Sequence, residues 1–176
     1  MNLYLDFDGV IVDSIKVTYK MMEEEGININ DTKRVREFYR NLDWFKLLDE
    51  IDEINNAIKN IKKLQKTGMY KLYILTTVNS LEEAEAKIRY IRKFGLNIPI
   101  ICVPKGIDKS QMVDPRNSIL VDDYSGNLYP WERSGGIGVK FTNEDKDNGF
   151  ITISSLSELE TPQIMRQLIR KVKSAY

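Results

Sequence analysis

The 176-residue chain carries 26 Lys plus Arg against 26 Asp plus Glu, so no net field draws it to a nucleic-acid polymer or an anionic membrane. No apolar stretch approaches membrane-spanning length, ~20 residues. Histidine is absent, which excludes a Ser-His-Asp triad, a Cys-His pair and a His-ligated zinc site, and leaves any chemistry to carboxylates, lysines, hydroxyls or a metal held by oxygen.

The length suits one domain with a continuous core. The single Cys102 provides no disulfide framework, and the chain starts without the basic region and apolar stretch of a signal peptide. A reducing, cytoplasmic setting is the expectation.

Leu3 to Phe7 alternates and stops at Asp8-Gly9, which predicts a buried strand ending in a turn that needs glycine. Ser14 to about Glu25 follows as a helix, with Ile15, Tyr19 and Met22 at helical spacing and Gly26 as its stop. From Asp31 to Lys66 the pattern is helical in pieces, carried by Val35, Phe38 and Leu42, then Leu47, Leu48 and Ile51, then Ile54, Ile58, Ile61 and Leu64, and Gly68 closes it.

Lys71 to Leu75 predicts a second strand that runs into Thr76-Thr77, and Leu81 to Phe94 an amphipathic helix with Ala84, Ile88 and Ile91 inward. A third strand is expected over Ile98 to Val103, with Cys102 as buried packing, and a fourth over Ser118 to Val121, ending at Asp122-Asp123. Then come a short helix, Asn127 to Arg133, a fifth strand, Ile137 to Phe141, a sixth over Ile151 to Ile153, and a final helix, Thr161 to Val172, with Ile164, Leu168 and Ile169 inward.

Strands alternating with helices predict an α/β fold, a doubly wound parallel sheet of the Rossmann-like kind covered on both faces. In such sheets ligands bind at the carboxyl ends of the strands, so the residues to examine are Asp6, Asp8, Thr76, Asp122 and Asp123. Asp6 and Asp8 are two apart at a strand end and project to one side if the extended geometry persists. Two ionised carboxylates there repel and cost desolvation unless a cation holds them, which points to a hard, oxygen-coordinated ion such as Mg²⁺.

The segment DFDGVIVDS resembles motif I of the haloacid dehalogenase superfamily, the aspartate-nucleophile phosphohydrolases. Three further motifs occur in family order: LYILTT with Thr76, a lysine in the loop from Lys105 to Lys109, and ILVDD. Within the superfamily the chain is most similar to the 5'(3')-deoxyribonucleotidase-like proteins, through DDYSGNL, GGIGVKF and a small helical insertion.

The resemblance implies that Asp6 is the nucleophile and Asp8 the general acid and base. It further implies that Thr76 and a lysine bind the phosphoryl group, and that Mg²⁺ is held by Asp6, the Asp8 carbonyl and Asp123, with Asp122 behind. Lys109 is the favoured lysine by its separation from Asp122, and Lys105 is the competitor; Asn127 stands where many relatives have a further Asp. It implies a core of residues 1–13 and 68–176 and a helical cap of residues 14–67 that closes over the site.

Within that cap Trp44 and Phe45 are expected to offer ring faces to a base, and Thr77 joins Lys105 as an expected substrate contact. The implied function is hydrolysis of a small phosphorylated metabolite, a nucleoside 5'-monophosphate first, by a monomer or homodimer; another metabolite such as a sugar phosphate, or a catalytically idle phosphate-binding module, are the alternatives. The same residues have plainer readings: Asp122-Asp123 as an acid pair at a helix N-terminus, Thr76 as a cap for the Leu81 helix, the lysines as solvated surface, and Trp44 with Phe45 as core.

Overall fold

A computed structural model of the protein describes residues 1–144 and 149–174. Six strands form one sheet: β1 (Asn2–Leu5), β2 (Lys71–Val78), β3 (Ile100–Pro104), β4 (Ser118–Asp122), β5 (Ile137–Phe141) and β6 (Ile151–Ile153). Their order is β3-β2-β1-β4-β5-β6 and every pairing is parallel. That is the doubly wound order, with the chain reversing its direction of growth between β1 and β4.

The sheet is two-sided because its central strand is. Leu3 and Leu5 point into one apolar layer and Tyr4 into the other, where it meets Trp131 edge-on at 5.3 Å and Tyr73 in a stack at 4.9 Å. Burying each such side chain contributes about 1.5 to 3 kcal/mol. β1 is thereby fixed in the middle, with its carboxyl end beside that of β4.

Among the described residues there are eight α-helices: α1 (Ser14–Glu24), α2 (Thr32–Asn41), α3 (Trp44–Glu50), α4 (Ala57–Thr67), α5 (Leu81–Lys93), α6 (Lys109–Met112), α7 (Ser125–Arg133) and α8 (Pro162–Ser174). Three of their starts, those of α2, α3 and α5, are capped by side chains. Asp31 accepts from Arg34 N–H at 3.1 Å, Asp43 from Lys46 N–H at 2.9 Å, and Ser80 from Glu83 N–H at 3.0 Å.

The segment from 14 to 67 is not uniform. α4 buries Ile58, Ile61 and Leu64 in the apolar layer that holds Leu3 and Leu5, and it packs against the 3-10 turn Leu156–Glu160, where Lys63 pairs with Glu160 at 2.5 Å and Asn60 donates to Ser155 at 3.3 Å. Helix α3 lies instead on α5, and Lys93 bonds Asp49 across that contact at 3.1 Å.

Several expected faces are rotated. On α1 the buried side is Ser14, Thr18 and Met22, while Ile15 and Tyr19 are exposed. On α5 Ile88 is exposed and the inward stripe runs through Glu83, Lys87 and Ile91, because polar side chains there have partners at the strand ends. On α8 Ile164 and Leu168 are buried but Ile169 is half exposed. Cys102 is half-buried, since β3 is an edge strand whose outer side has no neighbour in the sheet. Burial still pushes its thiol up, so it is a poor nucleophile.

Candidate active site

The chain leaves β1 at Asp6, whose N–H donates to Val121 O at 2.9 Å and so prolongs the ladder with β4 by one residue. Phe7 then turns the chain, with Ile11 N–H donating to Phe7 O at 2.9 Å and Gly9 N–H to Val12 O at 2.8 Å. Gly9 sits at φ +73°, and a Cβ on it would stand 2.2 Å from Asp123 Oδ2. Only glycine allows the turn after β1 to approach the acidic end of β4 this closely.

The result is a compact cluster. Asp6, Asp122 and Asp123 each place a carboxylate oxygen within 4.8 Å of the others. Lys109, the first residue of α6, reaches in with its Nζ 2.8 Å from Asp6 Oδ1 and 2.7 Å from Asp122 Oδ2. Asp122 is fully buried, and its oxygens also accept from Tyr124 N–H at 2.9 Å and Asn127 Nδ2 at 3.0 Å. Asp122 therefore spends its acceptors on orienting Lys109 and the start of α7, and Asn127 acts as its donor.

Burial pushes the Asp6 carboxyl up to about 8; Lys109 opposes this, while Asp122 and Asp8 add to it. Asp123 is pushed to about 6, by burial first and Asp122 second. Burial disfavours the Lys109 ammonium, but Asp122 and Asp6 outweigh it and hold its pKa above the ordinary value. One buried cation thus leaves three converging carboxylates undercompensated. An all-oxygen donor set with excess negative charge and no sulfur or imidazole fits a hard divalent ion such as Mg²⁺.

Asp8 lies at the rim, with its side chain 17% exposed. Ser14 Oγ donates to its Oδ1 at 2.5 Å and Lys87 Nζ to its Oδ2 at 2.5 Å. Lys87 and Ser14 did not stand out in the sequence: in LEEAEAKIRY the Glu83/Lys87 spacing is that of an ordinary surface i,i+4 pair. The one available signal was that Lys87 falls on the same side of the helix as Ala84 and Ile91.

The other expected residues fall in different places. Thr76 is fully buried at the end of β2, and its Oγ1 accepts from Lys87 at 3.1 Å; Thr77 beside it is half-buried. Lys105 is exposed in the loop after β3, where its N–H donates to Val78 O. Trp44 is 3% exposed, stacked near-parallel on Tyr39 and covered by Lys87 at 5.3 Å from its ring. Phe45 is half-buried under Arg89. Trp44 is thus packed as core rather than presented as an open face, because α3 is pressed against α5.

An open groove of about 600 Å³ adjoins the cluster at Asp123 and is otherwise lined by Asp13 and by Ile15, Lys16, Tyr19, Lys20 and Glu23 of α1.

The sheet order is that of a Rossmann-like α/β fold, and the acidic cluster stands at its β1/β4 crevice. No family model matches the sequence and no curated protein matches it. Among solved structures the chain is similar to a β-phosphoglucomutase from Clostridium difficile, with 16% identity, a TM-score of 0.66 and 98% of each chain covered. It is likewise similar to a phosphonoacetaldehyde hydrolase-like protein from Oleispira antarctica, with 14% identity, a TM-score of 0.65 and coverage of 98% of this chain and 94% of that one. A haloacid dehalogenase-like hydrolase from Streptococcus pneumoniae aligns at 16% identity, with a TM-score of 0.62 over 90% of this chain and 95% of the other. At such identities the likeness establishes the fold.

Proposed function

We propose that the protein is a Mg²⁺-dependent phosphomonoester hydrolase that works through an aspartyl-phosphate on Asp6. The observation that carries this reading is the meeting of Asp6, Asp122 and Asp123 with Lys109 at the ends of β1 and β4, next to an open groove. Asp6, the Asp8 carbonyl and Asp123 are the residues to hold the ion, with Asp122 behind them. When bound, the ion offsets the charge of the carboxylates and of the phosphoryl oxygens.

The chain's own residues do the rest. The Asp6 carboxylate attacks phosphorus, the bond to the leaving oxygen breaks, and Asp8 gives that oxygen a proton. Water then attacks the aspartyl-phosphate, Asp8 takes a proton from it, and Asp6 is restored as inorganic phosphate leaves. Lys109 balances charge developing on the phosphoryl group, and Thr76 and Thr77 supply hydroxyls at the β2 end.

Helices α1 to α3 form the cap over this site, with α4 belonging to the core layer. The substrate is a small phosphomonoester. A nucleoside 5'-monophosphate is the first candidate, and Tyr19, whose ring is exposed among the groove residues, is the side chain we assign to its base in place of Trp44 and Phe45. A sugar phosphate is the second reading, supported by the likeness to β-phosphoglucomutase structures.

The test is phosphate release from a panel of nucleotides and sugar phosphates, with and without Mg²⁺, in wild type and Asp6→Asn. Mg²⁺-dependent turnover that Asp6→Asn abolishes is the expected result. Undiminished turnover in Asp6→Asn removes the mechanism, and turnover of sugar phosphates alone removes the nucleotide.

A further inference from the structure

Lys87 is the largest commitment of charge to the interior that the mechanism above does not use. Its side chain is fully buried, and Nζ lies 2.5 Å from Asp8 Oδ2, 2.7 Å from Glu83 Oε1, 2.9 Å from Thr77 O and 3.1 Å from Thr76 Oγ1. Four acceptors surround three protons, so this ammonium has nothing left to offer a phosphoryl oxygen, unlike Lys109 at the base of the cluster.

It is also held still. Glu83 is 2% exposed and its other oxygen accepts from Asn79 N–H at 2.8 Å and Asn79 Nδ2 at 3.0 Å, which fixes the carboxylate at the start of α5. The rings of Phe7 and Trp44 stand 5.5 and 5.3 Å from Nζ and keep water off it. A buried ion pair of this kind is weak evidence for a role in stability, because apolar replacements of similar volume are often neutral or better. Its placement on Asp8 is what needs a reason.

We propose that Lys87, held by Glu83, is a positioning residue that sets the Asp8 carboxylate for the hydrolytic half of the reaction; the proposal rests on the phosphatase reading above. Lys87 holds Oδ2 and Ser14 holds Oδ1, so with both donors in place Asp8 can only accept. That is the arrangement required when the water oxygen bonds to phosphorus, the bond from phosphorus to the Asp6 oxygen breaks, and the proton of the water passes to Asp8. In the earlier half Asp8 carries a proton on Oδ1, and the Ser14 hydroxyl turns to accept from it while Lys87 stays where it is. Thr76, on the same ammonium, ties the end of β2 to this orientation.

The experiment is rapid-quench kinetics on the full chain with saturating Mg²⁺ and p-nitrophenyl phosphate. Its leaving group departs without needing a proton, so phosphorylation of Asp6 is insensitive to Asp8 and hydrolysis is not. Lys87→Met is expected to lower kcat by about 10- to 100-fold, with an initial burst of about one equivalent of p-nitrophenol per enzyme, a lower KM, and a phosphoenzyme visible by intact mass. A purely structural contribution slows both halves and leaves no phosphoenzyme to detect.

Glu83→Gln combined with Lys87→Met removes both buried charges together and gives the same burst if the single variant does not fold. A fall in kcat without a burst, or an undiminished kcat, overturns the proposal in an active enzyme. A wild type that releases no p-nitrophenol overturns the phosphatase reading itself, and this inference with it.

Discussion

Gly9 and Asp123 are packed so closely that the missing side chain is part of the site: a Cβ on Gly9 would lie 2.2 Å from Asp123 Oδ2 and 2.4 Å from its carboxyl carbon. The same residue sits at φ +73°, where an L side chain costs about 1 to 2 kcal/mol even in open space. Gly9→Ala should therefore displace Asp123 as well as strain the turn. The expected outcome is at least a tenfold weaker Mg²⁺ affinity by calorimetry and a modestly lower Tm. An unchanged affinity would mean that Asp123 is not a ligand.

Lys109 and Lys105 separate cleanly by burial. Removing the Lys109 ammonium leaves Asp6 and Asp122 buried without their countercharge, which costs about 3 to 5 kcal/mol when one side of such a pair is deleted. Lys109→Met should then lower the denaturation midpoint strongly, abolish turnover, and regain part of the lost stability with Mg²⁺. Lys105→Ala, at an exposed position, should fall within about 0.5 kcal/mol of wild type. Equal effects from the two would sink the assignment.

The acidic cluster makes stability depend on pH in a direction that can be worked out. Asp6 and Asp123 are pushed up to about 8 and about 6, above the ordinary carboxyl value. The folded state therefore holds more protons than the unfolded chain between the unfolded and folded values, and stability falls as pH rises through that window. A divalent ion reverses this by favouring the ionised carboxylates. Without metal, Tm should decline from about pH 5 to about pH 8, and the gain in Tm on adding Mg²⁺ should grow over the same range. A gain that is independent of pH would contradict the placement of the ion among these carboxylates.

Trp44 and Tyr19 differ in burial, and their substitutions should therefore differ in what they change. Trp44 is core, so Trp44→Ala should cost about 3 to 5 kcal/mol, read as a drop in the urea midpoint. Tyr19 is half exposed at the groove, so Tyr19→Ala should leave the midpoint nearly unchanged while raising KM for a nucleotide several-fold. A KM that does not move argues for a substrate without a base.

Much of the architecture was legible because it depends on local pattern. An apolar run such as Leu3–Leu5 has few alternatives to a buried strand, and the order of strands and helices restricts the connections to a parallel sheet. Asp6, Asp8, Asp122 and Asp123 stood out for the same reason, being charges placed where an apolar strand stops. What hydrophobic spacing could not provide was the direction of each helix face where a polar residue has a buried partner. Ile88 and Ile169 were expected inward on spacing and lie outward, and Lys87 took the inward place on α5.

The sequence by itself determined the alternation of strands and helices and the positions at which carboxylates end the strands, since both follow from short-range periodicity. Only the tertiary structure decided which lysine meets Asp6, that Trp44 is sealed beneath α5, and that Glu83 and Lys87 serve Asp8 rather than solvent. The physical reason is that a charge on a helix reads as surface in any local window. It becomes interior only when residues far along the chain supply its countercharges, and for Lys87 one of those lies 79 positions away.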